Sequence, residues 1–295
     1  MALTSNFTRK EWKLVKVNNT KVPLHLDGLR IPPAWTDVKV DNDPDAHVLA
    51  TGYDIAGRLQ RIYSPQHIAD AKCDKFERVR ALLSEWDDIR TQIESDLNDD
   101  SLPKLTKESA LVAYLIYNTG LRPGSNTDTL AKVKAYGATT LLLKHVKLCT
   151  RGVRLKFIGK KGVSQNVLVT DPHLVRVMVE RKNNGLSYNT PLFKLSSSSL
   201  RAYFKTLGSG GYNPKDFRTA CGTHLAIQLI GNRQRLPKSD TKKKALLNKA
   251  LDRVAAKLGN TRAVSRNSYV DPLVLEKILS TIKHKPKGIT NVEAN

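Results

Sequence analysis

Near residue 70 the hydrophobic period of the chain changes, and that change limits its possible folds more than any other feature. Before it, short apolar runs alternate with turn residues. Residues 12–17 and 22–26 flank Asn18, Asn19 and Thr20; residues 34–40 and 47–52 flank 42–45; a further pair crosses 54–57 into 59–63. Spacing of this kind predicts small antiparallel hairpins. From Asp70 onward Phe76, Val79, Leu82, Leu83, Trp86 and Ile89 recur every three or four residues, the period of an amphipathic helix. The expected fold class is α+β, with a β-rich N-terminal domain over residues 1–74 and a mainly helical domain over 75–295.

Helix punctuation in the second part is clear. The segment 106–118 closes on Gly120, Asp171-Pro172 opens a helix that closes on Gly185, and Asn213-Pro214 opens one ending near Gly231. Residues 241–258 place Leu247, Ala250, Leu251, Val254 and Leu258 on one face and stop at Gly259; Asp271-Pro272 starts a last helix. The exception is 153–169. There Val153, Leu155 and Phe157 alternate with Arg154 and Lys156, and Val163, Gln165, Val167 and Val169 share a face, which predicts a two-stranded hairpin with Lys160 and Lys161 at its tip. Low complexity is confined to 196–199 and 208–211.

Charge follows the same division. The chain carries 49 Lys and Arg against 27 Asp and Glu, a formal charge of +22. Residues 1–74 hold 10 basic and 9 acidic side chains, 75–100 hold 4 and 8, and 101–295 hold 35 and 10. Any one of these lysines is most simply a solvated surface charge. The concentrated excess points to a polyanion, nucleic acid first, because Lys and Arg that neutralise phosphates release condensed counterions. With 40% hydrophobic residues the chain is too apolar for a disordered polycation. No run reaches the length of a membrane span and the first residues lack the apolar core of a signal peptide, so neither membrane insertion nor secretion is expected. Cys73, Cys149 and Cys221 are scattered, with no CxxC pair, so no disulfide framework or zinc site is expected.

Four short segments suit phosphate chemistry. Gly120-Leu121-Arg122-Pro123-Gly124 puts an arginine directly after a helix, and Gly159-Lys160-Lys161-Gly162 forms the hairpin tip. Phe217-Arg218-Thr219 lies near a helix start, and Leu258-Gly259-Asn260-Thr261 precedes Ser268-Tyr269-Val270. Singly each has a plainer explanation: a helix-end charge for Arg122, a soluble turn for the lysines, a surface charge for Arg218, helix termination for Asn260, packing for Tyr269. Their order argues for more.

Together they resemble the type IB DNA topoisomerases, in particular the small poxvirus and bacterial kind. Arg30-Ile-Pro-Pro-Ala-Trp-Thr-Asp-Val38 and Ala50-Thr-Gly-Tyr-Asp-Ile-Ala-Gly-Arg-Leu-Gln60 are similar to that family's N-terminal signature. Thr119-Gly-Leu-Arg-Pro-Gly124, Tyr136-Gly-Ala-Thr-Thr-Leu141 with His145-Val146, Phe157-Ile-Gly-Lys160, Phe217-Arg-Thr219, and the segment from Leu258 to Tyr269 are similar to its catalytic segments. The resemblance implies a helical catalytic domain of the tyrosine recombinase and type IB topoisomerase kind, carrying a β-hairpin, and an N-terminal module that clamps duplex DNA. It implies Tyr269 as nucleophile forming a 3′-phosphotyrosyl link, Arg122, Arg218 and Asn260 around the scissile phosphate, and Lys160 as general acid. Resealing then needs no ATP. No metal site or required cofactor is implied, with Mg²⁺ at most a stimulant.

The same resemblance implies DNA contacts from Arg58, Gln60, Arg61, Tyr63, Gly124, Tyr136 and Lys161, double-stranded DNA as partner, a monomer, and an intracellular, DNA-associated location in a bacterial cytoplasm or a viral setting. Two departures matter. Asn260 stands where many members have histidine, and an amide donates one hydrogen bond without carrying charge, so little pH dependence is expected around the imidazole range. Arg61 stands where poxvirus relatives have an aromatic residue, so site preference does not transfer. Two other readings fit less of the sequence. A tyrosine recombinase or integrase usually shows the second arginine in a His-x-x-Arg motif, whereas Lys215, Asp216 and Phe217 precede Arg218. A non-catalytic polyanion-binding protein leaves the ordered motifs without a reason.

Overall fold

A computed structural model describes residues 3–282 apart from 11, 19, 126–132, 233 and 234. It divides into two compact units, the first ending at Glu77 and the second resuming at Arg78.

The first unit contains two antiparallel sheets. Strands β1 (Leu3–Thr4), β2 (Phe7–Lys10), β3 (Lys13–Val17) and β4 (Thr20–Lys21) precede β5 (Thr36–Asp41), β6 (Val48–Tyr53) and β7 (Leu59–Tyr63). One sheet runs β1-β5-β6-β7 and the other β2-β3-β4. Leu14, Val17, Leu26, Ile31, Val40 and Ala50 form their shared core. The strand expected over 22–26 is absent. Pro23, with no N–H for a ladder, ends β4 early, and Leu24–Leu26 is a 3₁₀ turn.

Helix α1 (Pro65–Ser84) begins directly after β7, and α2 (Trp86–Asn98) follows. The sequence period runs through Ile89 unbroken, yet the backbone breaks at Glu85 (φ −105°, ψ 14°). Glu85 is occupied there: its carboxylate accepts the Ser209 N–H at 2.8 Å. Then come α3 (Lys104–Thr119), strands β8 (Val146–Cys149), β9 (Gly152–Ile158) and β10 (Ser164–Val169), and helices α4 (Pro172–Asn183), α5 (Ser197–Phe204), α6 (Pro214–Ala226), α7 (Asp240–Leu258), α8 (Arg262–Ser268) and α9 (Pro272–Leu279). No helix among the described residues is long and apolar enough to cross a membrane.

The chain is thus mixed helix and sheet, with small antiparallel sheets first and a helical core after them. The expected two-stranded hairpin is the β9–β10 part of a three-stranded sheet ordered β10-β9-β8. Strand β8 escapes the alternation test because its burial follows no period of two: Val146 is buried, and both Lys147 and Leu148 are exposed. The serine run at 196–199 starts a helix. Ser196 Oγ accepts the Ser199 N–H at 3.0 Å, an N-cap written in a repetitive sequence.

Candidate active site

Two helix ends of the second unit carry the first two residues of the site. Residues 109–117 of α3 are all buried, so this helix runs through the core, and burial continues through its end to Leu121. It closes on Gly120 (φ 68°), and α7 closes on Gly259 (φ 58°). Glycine takes the left-handed conformation without a Cβ penalty, so both chains turn sharply. Arg122 follows the first turn and Asn260 the second. Arg122 Nη2 donates to Asn260 Oδ1 at 2.6 Å.

Arg218 joins the two turns from beneath. It lies in the first turns of α6 and is 3% exposed. Its Nη1 donates to the Gly120 carbonyl and its Nη2 to the Leu258 carbonyl. These are the negative ends of α3 and α7, so two helix dipoles compensate the buried guanidinium. Its carbon Cζ sits 5.0 Å from the centre of the Tyr269 ring. Burial first, and then the like charge of Arg122, pulls the Arg218 pKa below its ordinary value. An anion bound here would relieve that repulsion.

The Arg122 backbone is clamped from the other side. Ala138 N–H donates to Arg122 O at 2.8 Å and Thr139 N–H to Pro123 O at 2.7 Å. Gly137 allows this approach: a Cβ on it would lie 2.5 Å from Gly124 N and 2.7 Å from Arg122 O. The Gly124 carbonyl accepts from Ser197 Oγ at 3.2 Å.

Tyr269 follows α8 and is half-buried. Burial alone would raise its pKa, but the charge and hydrogen bonding of Arg218, followed by those of Arg122, bring it below the ordinary phenol value. The phenolate is therefore reached at lower pH than for a free tyrosine. Two N–H donors in the cluster, Arg218 Nε and Asn260 Nδ2, are buried and have no partner among the described residues. Unsatisfied buried donors cost stability, and both would be met by an acceptor-rich ligand such as a phosphodiester.

Lys160 stands exposed in the 3₁₀ turn at the hairpin tip, with no ion pair or hydrogen bond to the cluster among the described residues. The hairpin is nevertheless docked at the site just beside its tip, through Gln165, the second residue of β10. A Cβ on Gly259 would lie 2.2 Å from Gln165 Oε1, and one on Gly159 would lie 3.0 Å from Gln165 Cγ. Lys161 is also exposed and left-handed (φ 63°). Tyr136 is half-buried, edge-on to His145 at 4.5 Å, and its N–H donates to Ile158 O at 2.8 Å, so its backbone is tied to the end of β9 that leads into the tip.

The four expected N-terminal contacts split in two. Arg58 Nε and Gln60 Nε2 both donate to Asp54 Oδ2 at 2.9 Å across the β6–β7 turn. Arg61 and Tyr63 lie on the exposed face of β7, and Tyr63 stacks on His67 at 4.9 Å. His224 stacks on Trp86 and hydrogen-bonds to Gln228, a packing role. Sequence reasoning overlooked Gly137, Gln165, Gly222 and Thr223 as supports of the site. Gly137 and Gln165 lay inside segments already singled out, Gly222 showed only as a glycine inside a helical pattern, and Thr223 left no signal.

Comparison with known proteins identifies the family. A family model for the catalytic core of eukaryotic DNA topoisomerase I matches residues 65–295, and one for the N-terminal domain of bacterial DNA topoisomerase IB matches residues 16–54. DNA topoisomerase 1B of Acanthamoeba polyphaga mimivirus is 28% identical over 272 residues, covering 87% of this chain and 80% of the viral one. DNA topoisomerase I of monkeypox virus and DNA topoisomerase 1B of vaccinia virus (strain Copenhagen) are each 23% identical over 286 residues, covering 91% of this chain and 88% of theirs. The catalytic-core match takes in the larger part of the chain and every residue gathered around Tyr269, so this protein belongs to the type IB DNA topoisomerase family and is a type I topoisomerase acting on DNA.

Proposed function

We propose that the chain relaxes supercoiled DNA through a covalent 3′-phosphotyrosyl intermediate on Tyr269, with no need for ATP or metal. Tyr269 Oη bonds to phosphorus as the P–O5′ bond breaks; the phenolic proton passes to water and Lys160 protonates the leaving 5′ oxygen. The 5′ hydroxyl later attacks the same phosphorus and restores the strand. One phosphodiester replaces another at each step, so bond energy is conserved.

Arg122, Arg218 and Asn260 hold the nonbridging oxygens as charge builds on them. Guanidiniums suit this because they stay protonated and present fixed donors. The observation that carries the reading is the pair of buried, unpartnered N–H groups, Arg218 Nε and Asn260 Nδ2, beside a tyrosine whose phenol is held below its ordinary pKa. Lys160 reaches the phosphate when DNA lies against the hairpin. Gly124 and Lys161 line the same approach, and Arg58, Gln60, Arg61 and Tyr63 touch the duplex from the N-terminal unit, which acts as a clamp. The helical unit has the tyrosine recombinase architecture, and the protein works as a monomer on double-stranded DNA inside the cell.

Relaxation of a supercoiled plasmid in EDTA without ATP is the test. Wild-type protein is expected to relax it, and Tyr269→Phe to bind DNA but leave no adduct after SDS. Failure of well-folded wild-type protein to relax the plasmid sinks the metal-free reading, and an adduct persisting in Tyr269→Phe sinks the nucleophile.

A further inference from the structure

The turn that presents Tyr269 is held by α6, the same helix that carries Arg218. Gly222, one turn beyond Arg218, sets the distance. A Cβ there would lie 2.5 Å from Tyr269 O and 3.3 Å from Tyr269 Cβ, so helix backbone and tyrosine backbone touch directly.

The next residue supplies the bonds. Thr223 is 1% exposed, and its hydroxyl is used twice: it donates to Tyr269 O at 3.4 Å and accepts the Asp271 N–H at 3.1 Å. One hydroxyl therefore spans the turn from Tyr269 to Asp271. The far side of that turn is fixed as well. Asp271, 2% exposed, caps α9 by accepting the Leu273 N–H at 3.0 Å through Oδ1, and Oδ2 pairs with Arg80 Nη1 of α1 at 2.9 Å.

We infer that Thr223 is a positioning residue for strand transfer, holding the Tyr269 turn against α6 so that the phenol meets the phosphate between Arg122 and Arg218, with Asp271 and Arg80 anchoring the other end. The inference rests on Tyr269 being the nucleophile. In-line displacement tolerates little error in the place of the attacking oxygen, so a turn free to shift loses rate before it loses DNA. Valine keeps the shape of threonine but leaves a part-buried carbonyl and a buried N–H without their shared partner.

The experiment measures single-turnover cleavage of a short suicide duplex alongside noncovalent binding and thermal melting, on the full chain. Thr223→Val is expected to cleave about 100-fold more slowly with unchanged affinity, and Thr223→Ser to recover to within about threefold of wild type. Gly222→Ala is expected to behave like Thr223→Val. If Thr223→Val does not fold, Arg80→Met is read in its place, with cleavage about tenfold slower at unchanged affinity. The inference is overturned if the variant read cleaves at the wild-type rate, if affinity falls in step with cleavage, or if serine fails to rescue. An adduct in the Tyr269→Phe control would overturn the nucleophile itself, which separates the two failures.

Discussion

The five tyrosines with a displaced pKa divide by surroundings. Burial raises Tyr114, to about 12, and also raises Tyr117, Tyr203 and Tyr212. Tyr269 is half-buried and burial pushes it the same way, yet two guanidiniums reverse the sign. Near-ultraviolet titration of wild type against Tyr269→Phe should therefore show one phenol ionising ahead of the rest, since a lowered pKa brings the phenolate in at lower pH. A difference spectrum that develops only with the bulk tyrosines would contradict this. Asn260 is similarly constrained, because its Oδ1 is committed to Arg122 and only Nδ2 is left for the ligand. Asn260→Asp keeps the acceptor and removes the donor, and cleavage should drop by about 10² to 10³, as for a single oxyanion donor. Asn260→His in its neutral form offers one acceptor and one donor, and should retain activity in a cleavage assay at neutral pH. The identities of these residues were legible in short motifs. Their pairing was not, because Arg122 and Asn260 lie 138 positions apart and only the tertiary fold brings them together.

At the level of elements, helix ends were the most readable feature. Asp171 and Asp271 each accept an N–H of the first turn, each is followed by proline, and Gly120 and Gly259 close helices in the left-handed conformation. Strand β8 and helices α5 and α8 were missed because each is short and set by tertiary contacts more than by its own periodicity. The 3₁₀ turn that starts at Gly137 yields a test of positioning: Gly137→Ala drives a methyl into Gly124 and Arg122 O and should slow cleavage about 100-fold in a rate assay while DNA binding persists. The neighbouring turn carries a pH-sensitive support. His145 Nδ1 accepts the Leu142 N–H at 3.0 Å, and burial, followed by Lys144 and Lys147, lowers its pKa from 6.5 to about 4. The unfolded chain thus takes up a proton that the folded one refuses between those values. Stability should fall as pH drops from about 6.5 to about 4, by about 3 kcal/mol over the window. Thermal melts of His145→Gln should show a flatter pH dependence there.

Over the whole molecule, charge and chemistry are divided. Residues 101–295 carry 35 basic against 10 acidic side chains, yet only Arg122, Lys160 and Arg218 are assigned to the reacting phosphate. The remainder should act through counterion release, so the affinity of Tyr269→Phe for a short duplex, followed by anisotropy, should fall roughly 10³-fold between roughly 50 and 200 mM salt. A weak dependence would mean that few of these side chains touch phosphate. The division has a further consequence, and it lies with the glycines against which the site is packed. Gly137 and Gly222 abut the backbone of another segment so closely that a methyl group would collide with it, and Gly120 and Gly259 are held in the left-handed conformation. In a saturation scan for relaxation, single lysines of the basic surface should change with little effect, while these four uncharged positions should admit almost nothing. The basic surface is thus replaceable charge by charge, whereas the reactive geometry depends on positions that carry neither charge nor side chain.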